Sequence, residues 1–187
     1  TIVVTGYESD LLQNYLNKFK NVRSIKYDNF KKTNNLHTLW SVSNEIKDNI
    51  IVSFADLIIE NKIITSLIKS EGDIVMATDN SSILPDTMRV SCERTNLKSI
   101  TLTPVDEATG NFIGIAKFNK NGCKILKHYM RQLVKDGHSK DYYTVAVNEY
   151  LNDGGNAVAL NVNGLKWIEI DNAENYLNAK KIFEKIL

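Results

Sequence analysis

Two acids stand where an α/β sheet gathers its chemistry. Asp56 follows the apolar run from Asn49 to Phe54, and Asp171 follows the run from Leu165 to Ile170. Ligands of open α/β sheets bind beyond the carboxyl ends of the strands, so an acid there is well placed to hold a cation. Two hard oxygen ligands beside a substrate phosphate suit Mg²⁺, which keeps several waters and bridges to the phosphate. Each acid also has an ordinary explanation. Asp56 serves equally as a loop or helix-entry residue, and Asp171 as the N-cap of the last helix, with Glu174 three residues on completing a capping box. The cation reading demands convergence, since carboxylates more than about 10 Å apart cannot share one ion and its waters.

Asn34 and Asn35 place two amides side by side at a helix entry, which suits reading a base edge or holding a phosphate oxygen. An Asn-rich loop accounts for them as well. His37, His128 and His138 have no ligand spacing and no Ser or Cys partner, which argues against a triad or a histidine metal site. Trp40 falls in a helical apolar register and reads as core, whereas Trp167 with Tyr142 and Tyr143 suits a cation-binding wall. Cys92 and Cys123 are far apart and outside any CxxC spacing, which points to a reduced, cytoplasmic setting.

The elements that must position these residues follow from periodicity. Thr1 to Thr5 is a β-branched run closed by Gly6, expected as a buried strand, and Glu8 to Phe19 is a helix with Ser9 and Asp10 as candidate caps. Val22 to Tyr27 is a second strand, Leu36 to Ile46 a helix, and Asn49 to Phe54 a strand apolar on both faces. Asn61 to Lys69 is a helix and Asp73 to Thr78 another apolar strand, continuing the alternation of a parallel sheet. Val90 to Cys92, Ile100 to Thr103 and Phe112 to Phe118 read as strands of a small antiparallel extension. Helices are expected at Gly122 to Leu133 and Tyr142 to Leu151. A hairpin joins Ala157–Val162 to Leu165–Ile170 through Asn163–Gly164, and a last helix buries Tyr176, Ala179, Phe183 and Ile186. The fold class is therefore α/β, mostly parallel and Rossmann-like, with helices on both faces.

At 187 residues and 43% apolar, the chain suits one domain over 1–187. A net charge of +1 gives no field that would gather nucleic acid or anionic lipid. No apolar run approaches the roughly 20 residues of a membrane span, and no charged-then-apolar leader opens the chain, so a soluble, unexported protein is expected.

Together the segments resemble the sugar-nucleotide type of nucleotidyltransferase, and within it the cytidylyltransferases that activate phosphocholine or 2-aminoethylphosphonate. The resemblance rests on Ile2-Val-Val-Thr-Gly-Tyr7, Thr33-Asn-Asn-Leu-His-Thr-Leu-Trp40, Ile51-Val-Ser-Phe-Ala-Asp56, Gly110-Asn-Phe-Ile-Gly-Ile-Ala-Lys-Phe118 and Gly164-Leu-Lys-Trp-Ile-Glu-Ile-Asp171, in the family's order. It implies that Asp56 and Asp171 are catalytic Mg²⁺ ligands, that Asn34 and Asn35 lie beside the nucleotide, CTP by preference, and that Glu107, Gly114 and Trp167 line the acceptor site. The implied reaction transfers CMP to a small phosphorylated or phosphonate acceptor and releases pyrophosphate, with no nucleic-acid or membrane partner and with room for a homo-oligomer. A sugar-1-phosphate nucleotidyltransferase and a non-catalytic regulatory or interaction domain are the two other readings.

The family's glycine-rich phosphate loop and its downstream Pro-Lys precede the Val-Val-Thr-Gly-Tyr strand, and no residue here replaces them. The resemblance thus implies a fragment lacking its first βα unit, or a degenerate relative. In that fold the absent strand lies between the strand at Ile2 to Thr5 and the strand at Asn49 to Phe54. Those two should not pair, and either an extended segment of another chain or a gap near twice the usual spacing of about 4.8 Å is expected between them.

Overall fold

The computed structural model describes residues 1–85, 87–102 and 107–183. In chain order the strands and α-helices are β1 (Ile2–Thr5), α1 (Ser9–Leu16), β2 (Arg23–Lys26), α2 (Asn35–Ser41), β3 (Ile50–Ser53), β4 (Leu57–Ile59), α3 (Asn61–Lys69) and β5 (Ile74–Asp79). They continue as β6 (Arg89–Glu93), β7 (Asn96–Thr101), β8 (Gly110–Phe118), α4 (Lys120–Lys135), α5 (Thr144–Asn152), β9 (Ala157–Asn161), β10 (Trp167–Glu169) and α6 (Ala173–Ile182).

The centre of the molecule is β8, buried at every residue but Lys117. Phe112, Ala116 and Phe118 face one core with Leu36 of α2, Cys123, Leu126 and Met130 of α4, and Ala146 and Val147 of α5. Ile113 and Ile115 face the other, with Ile63 and Leu67 of α3 and with Val75 and Ala77 of β5. Burying each large aliphatic side chain is worth about 1.5–3 kcal/mol, so a strand apolar on both faces needs a layer on each. Helices on both faces supply it, as expected.

The sheet itself corrects the expectation of a mostly parallel order. Six strands run β3-β8-β5-β9-β7-β6, and a further β6–β8 pairing closes a small barrel through β8, β5, β9, β7 and β6. Among the described residues only β5 and β9 are parallel neighbours in it; β8 runs antiparallel to β3, β5 and β6, and β7 antiparallel to β6 and β9. Of the three strands expected as a small antiparallel extension, β8 is instead the centre of the sheet, inserted between β3 and β5, and β6 and β7 are the wall that closes the barrel. The expected hairpin over 157–170 is also corrected: β9 pairs with β5 and β7, while β10 leaves the sheet and pairs antiparallel with β4, a strand not anticipated.

β1 pairs in parallel with β2 alone, and β3 pairs with β8 alone; among the described residues no ladder joins β1 to β3. The first strand is less buried than its β-branched composition suggests, for Ile2 is exposed, as are Tyr7, Leu11, Tyr15 and Phe19 after it. Ser9 does not cap α1; its hydroxyl shares a hydrogen bond with Thr5 Oγ1 at 2.8 Å. The helix expected to Ile46 ends at Ser41 and resumes as a 3₁₀ turn over Ser43–Glu45. On α6, Ala179 and Phe183 are buried but Tyr176 is exposed. Ile186 and Thr103 lie outside the described residues. Among the described residues no helix is long and apolar enough to cross a membrane, and both cysteines are unpaired.

Candidate active site

The unanticipated ribbon of β4 and β10 builds the acidic site. Its register sets Leu57 opposite Glu169 and Ile59 opposite Trp167. One residue beyond the ladder, the Ile170 N–H donates to the carbonyl of Asp56 at 2.8 Å. Asp56 therefore faces Ile170 and is flanked by Glu169 and Asp171, which share one side of an extended segment because strand side chains alternate. One carboxylate oxygen from each of Asp56, Glu169 and Asp171 lies within 4.8 Å of the other two. The two acids singled out in the sequence converge well inside the limit of about 10 Å for sharing a cation.

Glu169 completes the group and was not anticipated, although its place two residues before Asp171 on an extended run was the available signal. Burial first, and then the negative charges of Asp56 and Asp171, push its carboxyl up to about 7. Like charges this close disfavour joint ionisation, and a divalent cation removes the conflict. Three hard carboxylate donors fit Mg²⁺ by ligand chemistry.

Asp171 is free for such a role because it does not cap α6, contrary to expectation. The cap is Asn172, whose side chain accepts from the Asn175 N–H at 2.9 Å. Asn175, not Glu174, reaches back and accepts from the Asp171 N–H at 3.2 Å. A residue later in register, the reciprocal pattern of a capping box is served by amides, and among the described residues the carboxylate of Asp171 makes no hydrogen bond or ion pair.

Gly114 seats the Asp56 loop. Its carbonyl accepts from the Phe54 N–H at 2.8 Å, its φ is +87°, and a Cβ there would stand 2.9 Å from the Phe54 ring. Only glycine takes this conformation and this approach without strain. Trp167, on β10, points its indole N–H at Asp79 Oδ2, 2.7 Å away. Asn34 caps α2, accepting from the Asn35 N–H at 2.7 Å and donating to the Lys140 carbonyl at 3.2 Å. Asn35 Oδ1 accepts from the Tyr143 N–H at 2.8 Å. Both amides thus clasp the start of α2 to the 139–143 segment, where His138 Nδ1 meets Asp141 Oδ2 at 2.5 Å. Tyr143 is buried core rather than wall. Glu107 is exposed in a turn, and among the described residues it makes no ion pair or hydrogen bond.

No family model matches the chain. A CTP:phosphoglutamine cytidylyltransferase of Campylobacter jejuni is 24% identical over 193 residues, covering 90% of this chain and 76% of that protein. Among solved structures, the inositol-1-phosphate CTP transferase from T. maritima superposes with a TM-score of 0.76 at 16% identity, over 100% of this chain and 77% of that one. The CTP:phosphocholine cytidylyltransferase from Streptococcus pneumoniae gives a TM-score of 0.74 at 16% identity, over 97% and 77%. A UDP-glucose pyrophosphorylase gives 0.75 at 15% identity, over 98% and 80%. The chain therefore carries the nucleotidyltransferase fold that these proteins share and that its own sequence stretches resemble.

Proposed function

We propose that this chain serves a Mg²⁺-dependent cytidylyl transfer, in which a small phosphorylated or phosphonate acceptor attacks the α-phosphorus of CTP and pyrophosphate leaves. The observation that carries the reading is the convergence of Asp56, Glu169 and Asp171 at the end of a strand pair, on a fold that three of the four similar proteins named above, each named for CTP, also carry. The acceptor class is that of phosphoglutamine, phosphocholine or 2-aminoethylphosphonate, and the setting is cytoplasmic.

The three carboxylates would hold the ion, and Mg²⁺ bound there supplies charge neutralisation at the α-phosphate. The acceptor is already an oxyanion, so transfer needs little proton movement and no covalent nucleophile on the protein. The chain's contribution is positioning two anions that repel each other. Gly114 and Phe54 set the height of the Asp56 loop against β8. Asn34 and Asn35 fix the start of α2, from which the Asn35 amide nitrogen, without a partner among the described residues, donates toward the nucleotide. Trp167 and Glu107 lie on the acceptor side.

The test is pyrophosphate release by the complete gene product with Mg²⁺, each of the four triphosphates, and a panel of phosphocholine, 2-aminoethylphosphonate, phosphorylated glutamine and sugar 1-phosphates. CTP with a small amino or choline-type phosphate is expected to give turnover. Turnover with sugar 1-phosphates alone would move the assignment to that class. No turnover with any pair would leave a non-catalytic domain.

A further inference from the structure

The ribbon whose end gathers the three carboxylates is too short to hold itself in place. It has three residue pairs, and an isolated two-stranded ribbon is marginal in water even when longer. Leu57, Ile59 and Trp167 pack against the apolar cluster that includes Ile63, Ile113 and Ile115. Apolar packing of this kind is non-directional; it fixes how deep the ribbon sits and resists sliding along the sheet only weakly. A directional contact is needed to set its position. Among the described residues, one side-chain hydrogen bond joins β10 to the six-stranded sheet: Trp167 Nε1–H to Asp79 Oδ2, at 2.7 Å.

Asp79 is built to be the fixed end of that bond. It closes β5, paired with Asn111 of β8. Asn111 is 1% exposed, and its side-chain amide donates to the Asp79 carbonyl at 3.3 Å and to the Ser82 carbonyl at 2.6 Å. The other Asp79 oxygen accepts from the Ser81 N–H at 2.9 Å. Gly110 closes in so tightly that a Cβ there would stand 2.6 Å from the Asp79 carbonyl oxygen. Burial draws the Asp79 carboxyl upward, but the hydrogen bonds from Ser81 and Trp167 outweigh it and hold the group below the usual carboxylate range. The acceptor is thus ionised, and charge-assisted hydrogen bonds are the stronger and shorter kind.

We propose that Asp79 is a positioning residue: through the indole N–H of Trp167 it latches β10 to the central sheet and so holds Glu169 and Asp171 against Asp56, whose loop the Phe54–Gly114 bond ties to β8. Trp167 and Glu169 are two residues apart on one extended strand, so a shift at the indole is passed directly to the carboxylate. The proposal rests on the metal reading of the carboxylates for its functional consequence, but the latch itself is a mechanical statement about the ribbon.

The probe is Mn²⁺ alone, followed by electron paramagnetic resonance, with the indole N–H resonances and amide exchange read by NMR on the same samples. Asp79→Asn keeps the shape and removes the charge, and Trp167→Phe keeps the ring plane and removes the donor. Groups that orient metal ligands typically change affinity 10–100-fold; one step further out, each variant is expected to weaken Mn²⁺ binding about threefold to tenfold. The double variant should be no weaker than either single one, because both remove the same bond. In Asp79→Asn the Trp167 indole N–H should move upfield, and the Ile170 and Glu60 amides, which close the two ends of the ribbon, should exchange faster. Mn²⁺ affinity within twofold of wild type in both variants, or additive losses in the double variant, would overturn the latch. If wild-type protein binds no Mn²⁺, the metal reading fails and the exchange data decide alone: unchanged Ile170 and Glu60 protection in Asp79→Asn then refutes the proposal. Trp167→Phe settles the matter should Asp79→Asn not fold.

Discussion

The backbone N–H of Ile170 donates to the carbonyl of Asp56 at 2.8 Å, tying two acidic segments far apart in the sequence into one short ribbon. That bond explains why three carboxylates can be held together without a counter-charge among the described residues: the backbone fixes them, and their mutual repulsion is tolerated. Such a site should be relieved by a cation. At about 100 times its Kd a ligand adds about 2.7 kcal/mol to stability, so saturating Mg²⁺ at matched ionic strength is expected to raise the melting temperature by roughly 5–10 °C. Asp56→Asn and Asp171→Ala should abolish the rise. Because Asn172 is the cap of α6, Asp171→Ala should melt close to wild type without metal, whereas Asn172→Ala should lose about 0.5–2 kcal/mol. Calorimetry of the three variants with and without Mg²⁺ checks both statements, and a Mg²⁺ response surviving in Asp171→Ala would sink the metal assignment.

Glu169 makes the same conflict visible in pH. Its carboxyl is raised to about 7 in the folded protein by burial and by Asp56 and Asp171, against an ordinary value near 4.3 in the unfolded chain. A raised carboxyl binds its proton more tightly when folded, so its favourable contribution is complete below about pH 4 and is lost as pH rises through 7. Glu169→Gln is permanently neutral and escapes that loss. Without metal it should melt above wild type at pH 8 by about 2–4 °C, corresponding to about 1 kcal/mol after discounting for its half-exposed position. The difference should vanish near pH 4 and reverse in saturating Mg²⁺, where the charged form is the one that binds. Equal melting curves at pH 8 would show that the three acids do not repel as the geometry requires.

Gly114 and Gly164 share a left-handed backbone, with φ of +87° and +83°, but differ in surroundings. A Cβ at Gly114 would meet the Phe54 ring at 2.9 Å, while nothing lies within 4 Å at Gly164. Gly164→Ala should therefore show only the backbone penalty, about 1–2 kcal/mol. Gly114→Ala adds overpacking of about 1–3 kcal/mol and pushes on the loop that carries Asp56, so Mg²⁺ affinity should fall with it. Urea melts and Mg²⁺ titrations of the two variants separate these effects. A Gly114→Ala variant as stable as Gly164→Ala would show that the Phe54 contact is slack.

The elements with strong periodicity were legible in the sequence: the helix over Asn61–Lys69 has the anticipated bounds, and β3, β5 and β8 fall where apolar runs placed them. Strand order was not. The run at 112–118 reads as antiparallel, but as part of an extension, and nothing in its residues shows that β8 inserts between β3 and β5, two strands apolar on both faces that look like parallel neighbours. β4, at three residues, is too short to show a period and is defined by a partner more than a hundred residues away. Asp171 and Asn172 are both good capping residues, and Asn172 prevails because its register gives Asn175 a return bond to the Asp171 N–H. The convergence of Asp56 with Asp171 was legible through the resemblance, but the burial that singles out Glu169 arises only once β10 folds onto β4.

Asn35 is where a structural and a nucleotide-binding role can be separated with one atom. Its Oδ1 accepts from the Tyr143 N–H at 2.8 Å, a bond that ties α2 to the segment leading into α5. Asn35→Ala removes that acceptor, leaves a part-buried N–H without a partner, and should lose about 1–3 kcal/mol. Asn35→Asp keeps an oxygen at the same place and replaces only the amide nitrogen, so its melting temperature should stay within about 2 °C of wild type, on the order of a surface change. If the nitrogen donates to the nucleotide, the same substitution removes a donor and sets a negative charge beside a triphosphate. KM for CTP should then rise about tenfold, corresponding to about 1.4 kcal/mol, with KM for the acceptor little changed. Steady-state kinetics of the complete gene product, alongside its melting curve, decides between the roles. A stable Asn35→Asp variant with wild-type KM for CTP would confine Asn35 to holding α2 in place.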